Sequence, residues 1–210
     1  MNVENENVID IGTNIGDSPI YFALNNAKRV LGLEPYPHSF LLASENIKMN
    51  NLEEKITLLN AGYGGDGSTK VRTDLKNTHG TNLKSSNEGT EIRIISLKTL
   101  LKENNFDTAV LKMDCEGCEY NIVNEQDETL RKFKRIQMEY HYGYEKLKSK
   151  LEEAGLLLDI QNPQRFITRM QPIRICHQAT FMLNGRTNLK RAIITACVKH
   201  NGHKFYYANG

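Results

Sequence analysis

The feature that most constrains the fold is an alternation of short apolar strands with helical stretches. Residues 8–11 form a β-branched run that ends at Gly12, and a helical stretch at 20–27 leads to a second apolar run at 29–33. The alternation continues with predicted helices at 38–49, 97–101, 119–132 and 144–153, and with predicted strands at 55–59, 108–113, 135–139, 156–160 and 204–207. Such alternation favours a mostly parallel sheet covered on both faces. We therefore expect an α/β fold with a doubly wound sheet.

The length of the chain, 210 residues, favours a single domain over residues 1–210. Two segments depart from the alternation. Residues 62–95 are rich in Gly, Ser, Thr and Asn, and they predict a polar loop or an exposed hairpin that pairs 70–73 with 91–95. Residues 161–203 form a basic C-terminal segment that follows neither the helical nor the strand period.

Hydropathy predicts no membrane partner, because the longest apolar runs are far shorter than the ~20 residues that span a bilayer. The first residues lack the basic start and apolar stretch of a secretory signal. We therefore expect a cytoplasmic protein. No sequence feature specifies an oligomeric state.

Charge is distributed unevenly along the chain. Residues 161–210 hold eight basic and no acidic residues, whereas the rest holds 19 basic and 25 acidic residues, so that the whole chain has a net charge of +2. This split predicts either an anionic acceptor or partner near the C-terminal part, or a basic surface that only raises solubility.

The turn after the first strand, Asp10-Ile11-Gly12-Thr13-Asn14-Ile15-Gly16, predicts a nucleoside site. Gly12 lets the chain leave the strand sharply, and Gly16 allows a ligand to approach the start of the helix. A dinucleotide site would have glycine where Asn14 stands, and carboxylates beside the turn would repel a pyrophosphate. S-adenosylmethionine is cationic and has no phosphate, so the acidic surroundings suit it. Glu34, at the end of the second strand, is placed to accept hydrogen bonds from ribose hydroxyls.

Two blocks of the sequence resemble the FkbM family of class I methyltransferases. The first is VIDIGTNIGDSPIYFALNNAKRVLGLEPYP with the following ENIKMNN, and the second is VLKMDCEGCEYNIV, similar to the family's K-x-D-x-E-G-x-E signature. The resemblance implies a seven-stranded, Rossmann-like sheet with an antiparallel last strand, and methylation of hydroxyls on sugars or natural products. It implies that the cofactor is bound by Asp10, Gly12, Asn14, Gly16 and Glu34, with Asn60 and Ala61 near the adenine and Asp114 near the reacting methyl group.

Acidic residues follow the strands at 108–113 and 135–139. Asp114, Glu116 and Glu119 come after the first of them, and Glu139 and His141 end the second. If these strands are neighbours, the two groups face one cleft, and His141 or Asp114 is the candidate base that removes a hydroxyl proton, with Glu116 beside them. Carboxylates with a histidine also suit a divalent cation, which is an alternative that we do not assign.

The cysteines predict free thiols, because a chain of this size with four cysteines does not need disulfides. Cys115 and Cys118 also resemble a redox pair or half of a zinc site that Cys197, His200 and His203 would complete. No second C-x-x-C follows, so we assign no metal.

Three functions remain open from the sequence. The first is an O-methyltransferase for a small molecule or glycan. The second is an RNA methyltransferase, such as a tRNA methyltransferase, that uses the basic C-terminal segment with Phe205, Tyr206 and Tyr207. Against it, the chain lacks an N-P-P-[YF]-like tetrapeptide after the strand at 108–113. The third is a non-catalytic binding subunit with the same fold, which the intact turn and Glu34 argue against.

Overall fold

The computed structural model describes residues 1–72, 89–140 and 143–158. In chain order its elements are β1 (Asn7–Ile11), α1 (Asp17–Leu24), β2 (Arg29–Leu33), α2 (Pro37–Met49), β3 (Ile56–Leu59), β4 (Ala61–Tyr63), β5 (Gly67–Val71), β6 (Thr90–Ile95), α3 (Leu97–Glu103), β7 (Ala109–Met113), a 3₁₀ helix (Cys118–Asn124), α4 (Asp127–Leu130), β8 (Phe133–Met138) and α5 (Glu145–Glu153).

A five-stranded parallel sheet forms the centre, in the order β3-β2-β1-β7-β8. The chain first winds outward from β1 to β3 and then returns to the other side of β1 with β7. Because parallel crossovers are right-handed, this reversal places the helices of the two halves on opposite faces of the sheet. The expected α/β, doubly wound, mostly parallel fold is therefore confirmed.

The central strands are buried because both faces of the sheet are covered. Val8, Ile9, Val110 and Leu111 are at most 1% exposed, and Val8 and Val110 belong to one apolar cluster with Ile20 of α1. Strands buried on both faces are expected to be continuously apolar. A polar residue inside them therefore needs a specific partner.

The polar insertion forms part of a second sheet, in the order β4-β6-β5. Antiparallel pairing of the expected kind is present between β5 and β6, but the first strand begins three residues earlier than predicted, so that residues 67–71 pair with 90–94. Residues 73–88 lie outside the described part. The strand β4, which pairs with β6 in parallel, was not predicted. It has only three residues, too few for a visible period.

The helix predicted at 119–132 is wrong. The structure has the 3₁₀ helix, a break at Glu125, and the four-residue helix α4. Glu125 is extended, with a ψ of 149°, and its Oε1 accepts hydrogen bonds from the Leu97 N–H (3.0 Å) and the Tyr63 hydroxyl (3.2 Å). These contacts with distant residues replace the continuous helix that local propensity favours.

The strands expected at 156–160 and 204–207 do not belong to the described sheets. Residues 156–158 are described and are not in a strand, while 159–160 and 204–207 lie outside the described residues, as does the whole basic segment 161–203. The seven-stranded count and the antiparallel last strand therefore stay predictions. Within the described ranges, no helix is both long and apolar enough to span a membrane.

Candidate functional site

The candidate site lies where the carboxyl ends of the parallel strands meet. Main-chain hydrogen bonds join each strand end to the next: Glu34 to Leu59, Gly12 to Leu33, Asp114 to Ile11, and Glu139 to Met113, all between 3.0 and 3.1 Å. The winding direction reverses between β1 and β7, which is where ligands bind in open α/β sheets. The structure thus brings the residues around Gly12, Glu34, Asp114 and Glu139 to one edge.

Gly12 allows close packing of two of these strand ends. Its φ of 81° is left-handed, and a Cβ at this position would lie 1.9 Å from the carbonyl oxygen of Asp114. A side chain would therefore push the loop after β7 away from the turn after β1. Gly12 serves the contact between the two loops as well as the sharp exit from the strand.

Gly16 lies close to α2. Its φ is 89°, and a Cβ there would lie 3.1 Å from the Cα atom of Ala43 in α2. The glycine at position 16 is therefore needed for the close approach of α2, and its contact with a ligand stays a prediction. Asn14 is also left-handed, with a φ of 47°, a conformation that asparagine tolerates better than most residues.

Asp10 is fully buried and balanced by a cation. Its side chain is 0% exposed, one carboxylate oxygen lies 2.9 Å from Lys112 Nζ, and the other accepts a 2.5 Å hydrogen bond from the Ser18 hydroxyl. Lys112 Nζ also donates to the carbonyl oxygen of Gly12, at 3.0 Å. This network ties β1, β7 and the first turn of α1 together. Asp10 thus holds the turn in place, and its contact with a cofactor stays a prediction.

Sequence reasoning missed Lys112, although a signal was present. A lysine stands within the apolar run of β7, and a buried strand of a parallel sheet rarely holds an unpaired charge. The register places Lys112 directly opposite Asp10. Burial alone lowers the pKa of Lys112, but attraction to Asp10 and then Asp114 outweighs it and raises the pKa overall, so the ammonium stays charged.

Glu34 is placed by two main-chain donors. Its Oε2 accepts from the Asn14 N–H at 2.9 Å and its Oε1 from the Tyr36 N–H at 3.0 Å. One donor belongs to the turn after β1 and the other to the loop after β2, so the carboxylate joins the two. Each oxygen retains a second acceptor position, because a carboxylate offers about four lone-pair sites.

The protonation of Glu34 is sensitive to pH near neutrality. Burial is the main cause that raises its pKa, to about 7. The hydrogen bonds from Tyr36 and Asn14 and the positive charge of Lys112 act in the opposite direction and lower the pKa, but they are weaker than the effect of burial. The side chain is only 4% exposed. A carboxyl group with such a pKa, at the carboxyl edge of the sheet one strand away from the reversal, is a candidate ligand-binding group.

Asn60 and Ala61 lie beside Glu34 on the next strand end. The Asn60 side-chain amide donates to the carbonyl oxygens of Glu34 (2.8 Å) and Pro35 (3.1 Å), and Ala61 is buried at the start of β4. Asn60 thus fixes the loop that follows β2. Contact of either residue with an adenine stays a prediction.

The acidic groups after β7 and β8 are neighbours, as expected. Register pairs Met113 with Met138, so Asp114 and Glu139 follow adjacent strand ends. Asp114 and Glu116 are half-buried, whereas Glu119 is 0% exposed and its Oε2 accepts a 2.8 Å hydrogen bond from the Gly117 N–H. Glu119 therefore caps its own loop. His141 lies outside the described residues, so its catalytic role stays a prediction.

The expectation of free thiols is wrong for two cysteines. Cys115 and Cys118 form a disulfide in the structure. Among the described residues, no group of three His, Cys, Asp or Glu side chains could hold a metal ion. Cys197, His200 and His203, the partners considered for a zinc site, lie outside the described residues.

The chemistry of these groups fits S-adenosylmethionine. Glu34 offers free acceptor positions for a ribose diol, and Asp114, Glu116 and Glu139 add negative charge around the same edge. Lys112, the cation buried at this edge, is neutralised by Asp10. A sulfonium and an ammonium therefore meet an acidic environment, while a pyrophosphate would meet repulsion.

Comparisons with known proteins add a family match. A family model described as the methyltransferase FkbM domain matches residues 10–162. None of the curated proteins matches the chain.

Two solved structures are similar to this chain. One is a candidate rRNA-methylase from Clostridium thermocellum, with 14% identity, a TM-score of 0.42, and coverage of 72% of this chain and 70% of that one. The other is methyltransferase FkbM from Methylobacillus flagellatus KT, with 19% identity and a TM-score of 0.33, covering 58% of this chain and 31% of that one. Both TM-scores lie below 0.5, and neither likeness supports a conclusion about this chain.

Proposed function

Because the chain belongs to the FkbM family of methyltransferases, we propose that it transfers a methyl group from S-adenosylmethionine to a hydroxyl group of a small molecule or glycan. The observation that carries the cofactor assignment is the Glu34 carboxylate, held by the N–H groups of Asn14 and Tyr36 at the end of β2. Its remaining acceptor positions suit a ribose, because one carboxylate can accept hydrogen bonds from both ribose hydroxyls at once.

The charges at this edge support the same cofactor. Lys112, a described cation that acts electrostatically on Glu34, pairs with Asp10, and the carboxylates of Asp114 and Glu139 add negative charge at the same edge. S-adenosylmethionine, when bound, supplies a methyl group that its sulfonium already activates. The task of the protein is then mainly to align the acceptor, which can contribute up to ~7–11 kcal/mol to the rate.

The residues after β7 and β8 are proposed to act on the acceptor. A hydroxyl acceptor must lose its proton, and Asp114 and His141 are the candidate bases, with Glu116 on the same loop. Asp114 is half-buried and follows directly on the strand end beside Gly12. A divalent cation at these carboxylates stays an alternative, and a cytoplasmic location stays a prediction.

The test of the cofactor assignment is calorimetry with S-adenosylhomocysteine. We expect the wild-type protein to bind, Glu34→Ala to lose at least tenfold in affinity, and Glu45→Ala to bind as wild type. Glu45 is a matched control because it is an exposed glutamate on α2, outside the site. Unchanged affinity in Glu34→Ala would contradict the ribose assignment. No binding by the wild type would favour a non-catalytic subunit.

The acceptor is tested by transfer of a labelled methyl group into fractionated metabolite and glycan extracts. The variants Asp114→Asn and His141→Ala are each expected to bind S-adenosylhomocysteine as tightly as the wild type. The variant that lacks the catalytic base is expected to lose turnover. Full activity in both variants would remove both candidates.

An RNA acceptor is the second candidate. Its support is the acid-free segment of residues 161–210 with eight basic residues. Binding to bulk tRNA that weakens steeply with salt would favour it, since released counterions give a linear fall of log affinity with log salt. Labelled methyl groups found in RNA would then replace the small-molecule assignment.

A further inference from the structure

The loop between β7 and the 3₁₀ helix holds a disulfide that methyl transfer does not require. Cys115 and Cys118 are joined with their Cα atoms 5.4 Å apart, within the usual range. Neither residue is fully buried. The pair directly follows Asp114 and encloses Glu116, and it therefore lies within the candidate site.

The two residues between the cysteines have an unusual backbone. Glu116 has a φ of 56° and Gly117 a φ of 116°, both left-handed. This conformation is common for glycine but uncommon for glutamate, whose Cβ crowds the backbone. Several restraints act across this turn, among them a main-chain hydrogen bond from the Cys118 N–H to the Cys115 carbonyl oxygen, 3.5 Å long. Two others are the disulfide and the 2.8 Å hydrogen bond from the Gly117 N–H to Glu119.

The disulfide contributes little to the stability of the whole chain. The two cysteines are three residues apart, and a ring of that size removes less disorder from the unfolded chain than a long loop does. Its effect is local. The carbonyl of Asp114 lies against Gly12, so a change in this loop also reaches the turn after β1.

We propose that Cys115 and Cys118 are a redox-active pair, and that their reversible reduction releases the loop carrying Asp114 and Glu116. A thiolate of a dithiol reductant attacks one sulfur and breaks the S–S bond, which gives a mixed disulfide. The second thiolate of the reductant then displaces the other cysteine. In total two electrons and two protons pass to the pair, which becomes two thiols, and the reductant becomes a disulfide.

The first experiment isolates the pair in the full-length chain. Cys176→Ser with Cys197→Ser leaves Cys115 and Cys118 as the only cysteines. We expect no free thiol after equilibration with oxidised dithiothreitol and two after reduction with dithiothreitol. If this variant does not fold, alkylation of the wild-type chain in each state, followed by mass spectrometry, identifies the same sulfur atoms. Two free thiols at 115 and 118 under oxidising conditions would overturn the proposal.

The second experiment measures the loop by hydrogen exchange. We expect the amides of Glu116–Glu119 to exchange at least tenfold faster in the reduced protein, and the amides of α5 to be unchanged. Cys115→Ser with Cys118→Ser cannot form the bond and should resemble the reduced protein in both buffers. Equal exchange in the oxidised and reduced wild type would overturn the proposal.

The effect of reduction on catalysis rests on the proposed function, and it is measured separately from the thiol counts and the hydrogen exchange. We expect turnover to fall at least fivefold on reduction, with the affinity for S-adenosylhomocysteine changed less than twofold. Unchanged turnover would contradict the idea that the redox state of the cysteine pair controls the part of the site that acts on the acceptor. If the protein transfers no methyl group in either state, the proposed function fails, while thiol counts and exchange still decide whether the pair is redox-active.

Discussion

Three carboxylates near the strand ends differ in what surrounds them, and their surroundings decide their roles. Asp10 is fully buried against Lys112 and Ser18. Glu34 is buried but keeps free acceptor positions, and Asp114 is half-buried at the edge of the sheet. A buried, balanced charge fixes structure, whereas a carboxylate with unused acceptor positions can bind a ligand.

The pKa of Glu34 makes cofactor affinity depend on pH. In the proposed complex the ribose diol binds the ionised carboxylate, whose fraction decreases from one half at the folded pKa of about 7 to roughly 3% at pH 5.5. We expect the affinity for S-adenosylhomocysteine to rise roughly 20-fold from pH 5.5 to 7.5 and then to level off. Glu34→Gln should bind more weakly, with a flat profile, and calorimetry at a series of pH values checks both. An equally steep profile in Glu34→Gln would assign the titration to another group.

The same pKa has a consequence for stability with a defined sign. Folding raises the pKa of Glu34 from 4.5 to about 7, so in that window the folded protein binds a proton that the unfolded chain has lost. The contribution of Glu34 to stability therefore falls as pH rises from about 4.5 to 7. Denaturant unfolding should show a smaller fall over this window in Glu34→Gln than in the wild type.

Removing Lys112 should destabilise the protein strongly. Lys112→Met leaves Asp10 buried without its cation, and breaking a buried pair in this way costs about 3 kcal/mol or more. Lys132→Met, at an exposed lysine, should cost little. Urea unfolding measures both. Asp10→Asn with Lys112→Met should recover part of the loss, because neither partner then remains unpaired, and a purely additive double variant would contradict the pairing.

At the scale of elements, α3 depends on a cap that links it to the second sheet. The Ser96 hydroxyl accepts from the Thr99 N–H at 3.2 Å, and Asp66 accepts from the Ser96 N–H (2.7 Å) and the Thr99 hydroxyl (2.8 Å). The hydrogen bond from the Ser96 main chain is the main cause that lowers the pKa of Asp66. One short motif thus ends β6 and begins α3.

Ser96→Ala is expected to destabilise the protein by about 1 kcal/mol, the usual loss for an N-cap serine. The measurement is urea unfolding beside Lys98→Ala, an exposed position on the same helix where alanine is a good helix former. A loss in Lys98→Ala equal to that in Ser96→Ala would show that the helix is generally sensitive and that the cap has no special role.

At the scale of the whole molecule, the strand order gathers the site. Glu34, Gly12, Asp114 and Glu139 are spread over more than a hundred residues, and they meet because β2, β1, β7 and β8 are parallel neighbours. A ligand at this edge touches loops from both halves of the sheet. Its binding therefore stabilises the folded protein as a unit.

Thermal unfolding tests this coupling. S-adenosylhomocysteine at 100 times its dissociation constant should add about 2.7 kcal/mol, which raises Tm by roughly 5–10 °C in a chain of this size. NAD at the same concentration should leave Tm unchanged, because its pyrophosphate meets the acidic edge. A larger rise with NAD than with S-adenosylhomocysteine would contradict the proposed electrostatics.

Features that depend on residues close together along the chain could be predicted from sequence patterns. Apolar runs predicted the five central strands to within about two residues, and Ser96 predicted the start of α3. Periodicity and caps act over three or four residues, so they can be read locally. The neighbourhood of Asp114 and Glu139 also followed, because adjacent parallel strands end at the same edge.

Partners that are distant along the chain became visible only in the folded protein. Asp10 and Lys112 are far apart in the sequence, and their ion pair could not be predicted from either segment alone. The helix break at Glu125 likewise depends on its contacts with Leu97 and Tyr63. The need for glycine at position 16 depends on the close approach of Ala43. The cost of burying a charge or crowding a glycine depends on what the fold places beside it, and no local pattern contains that information.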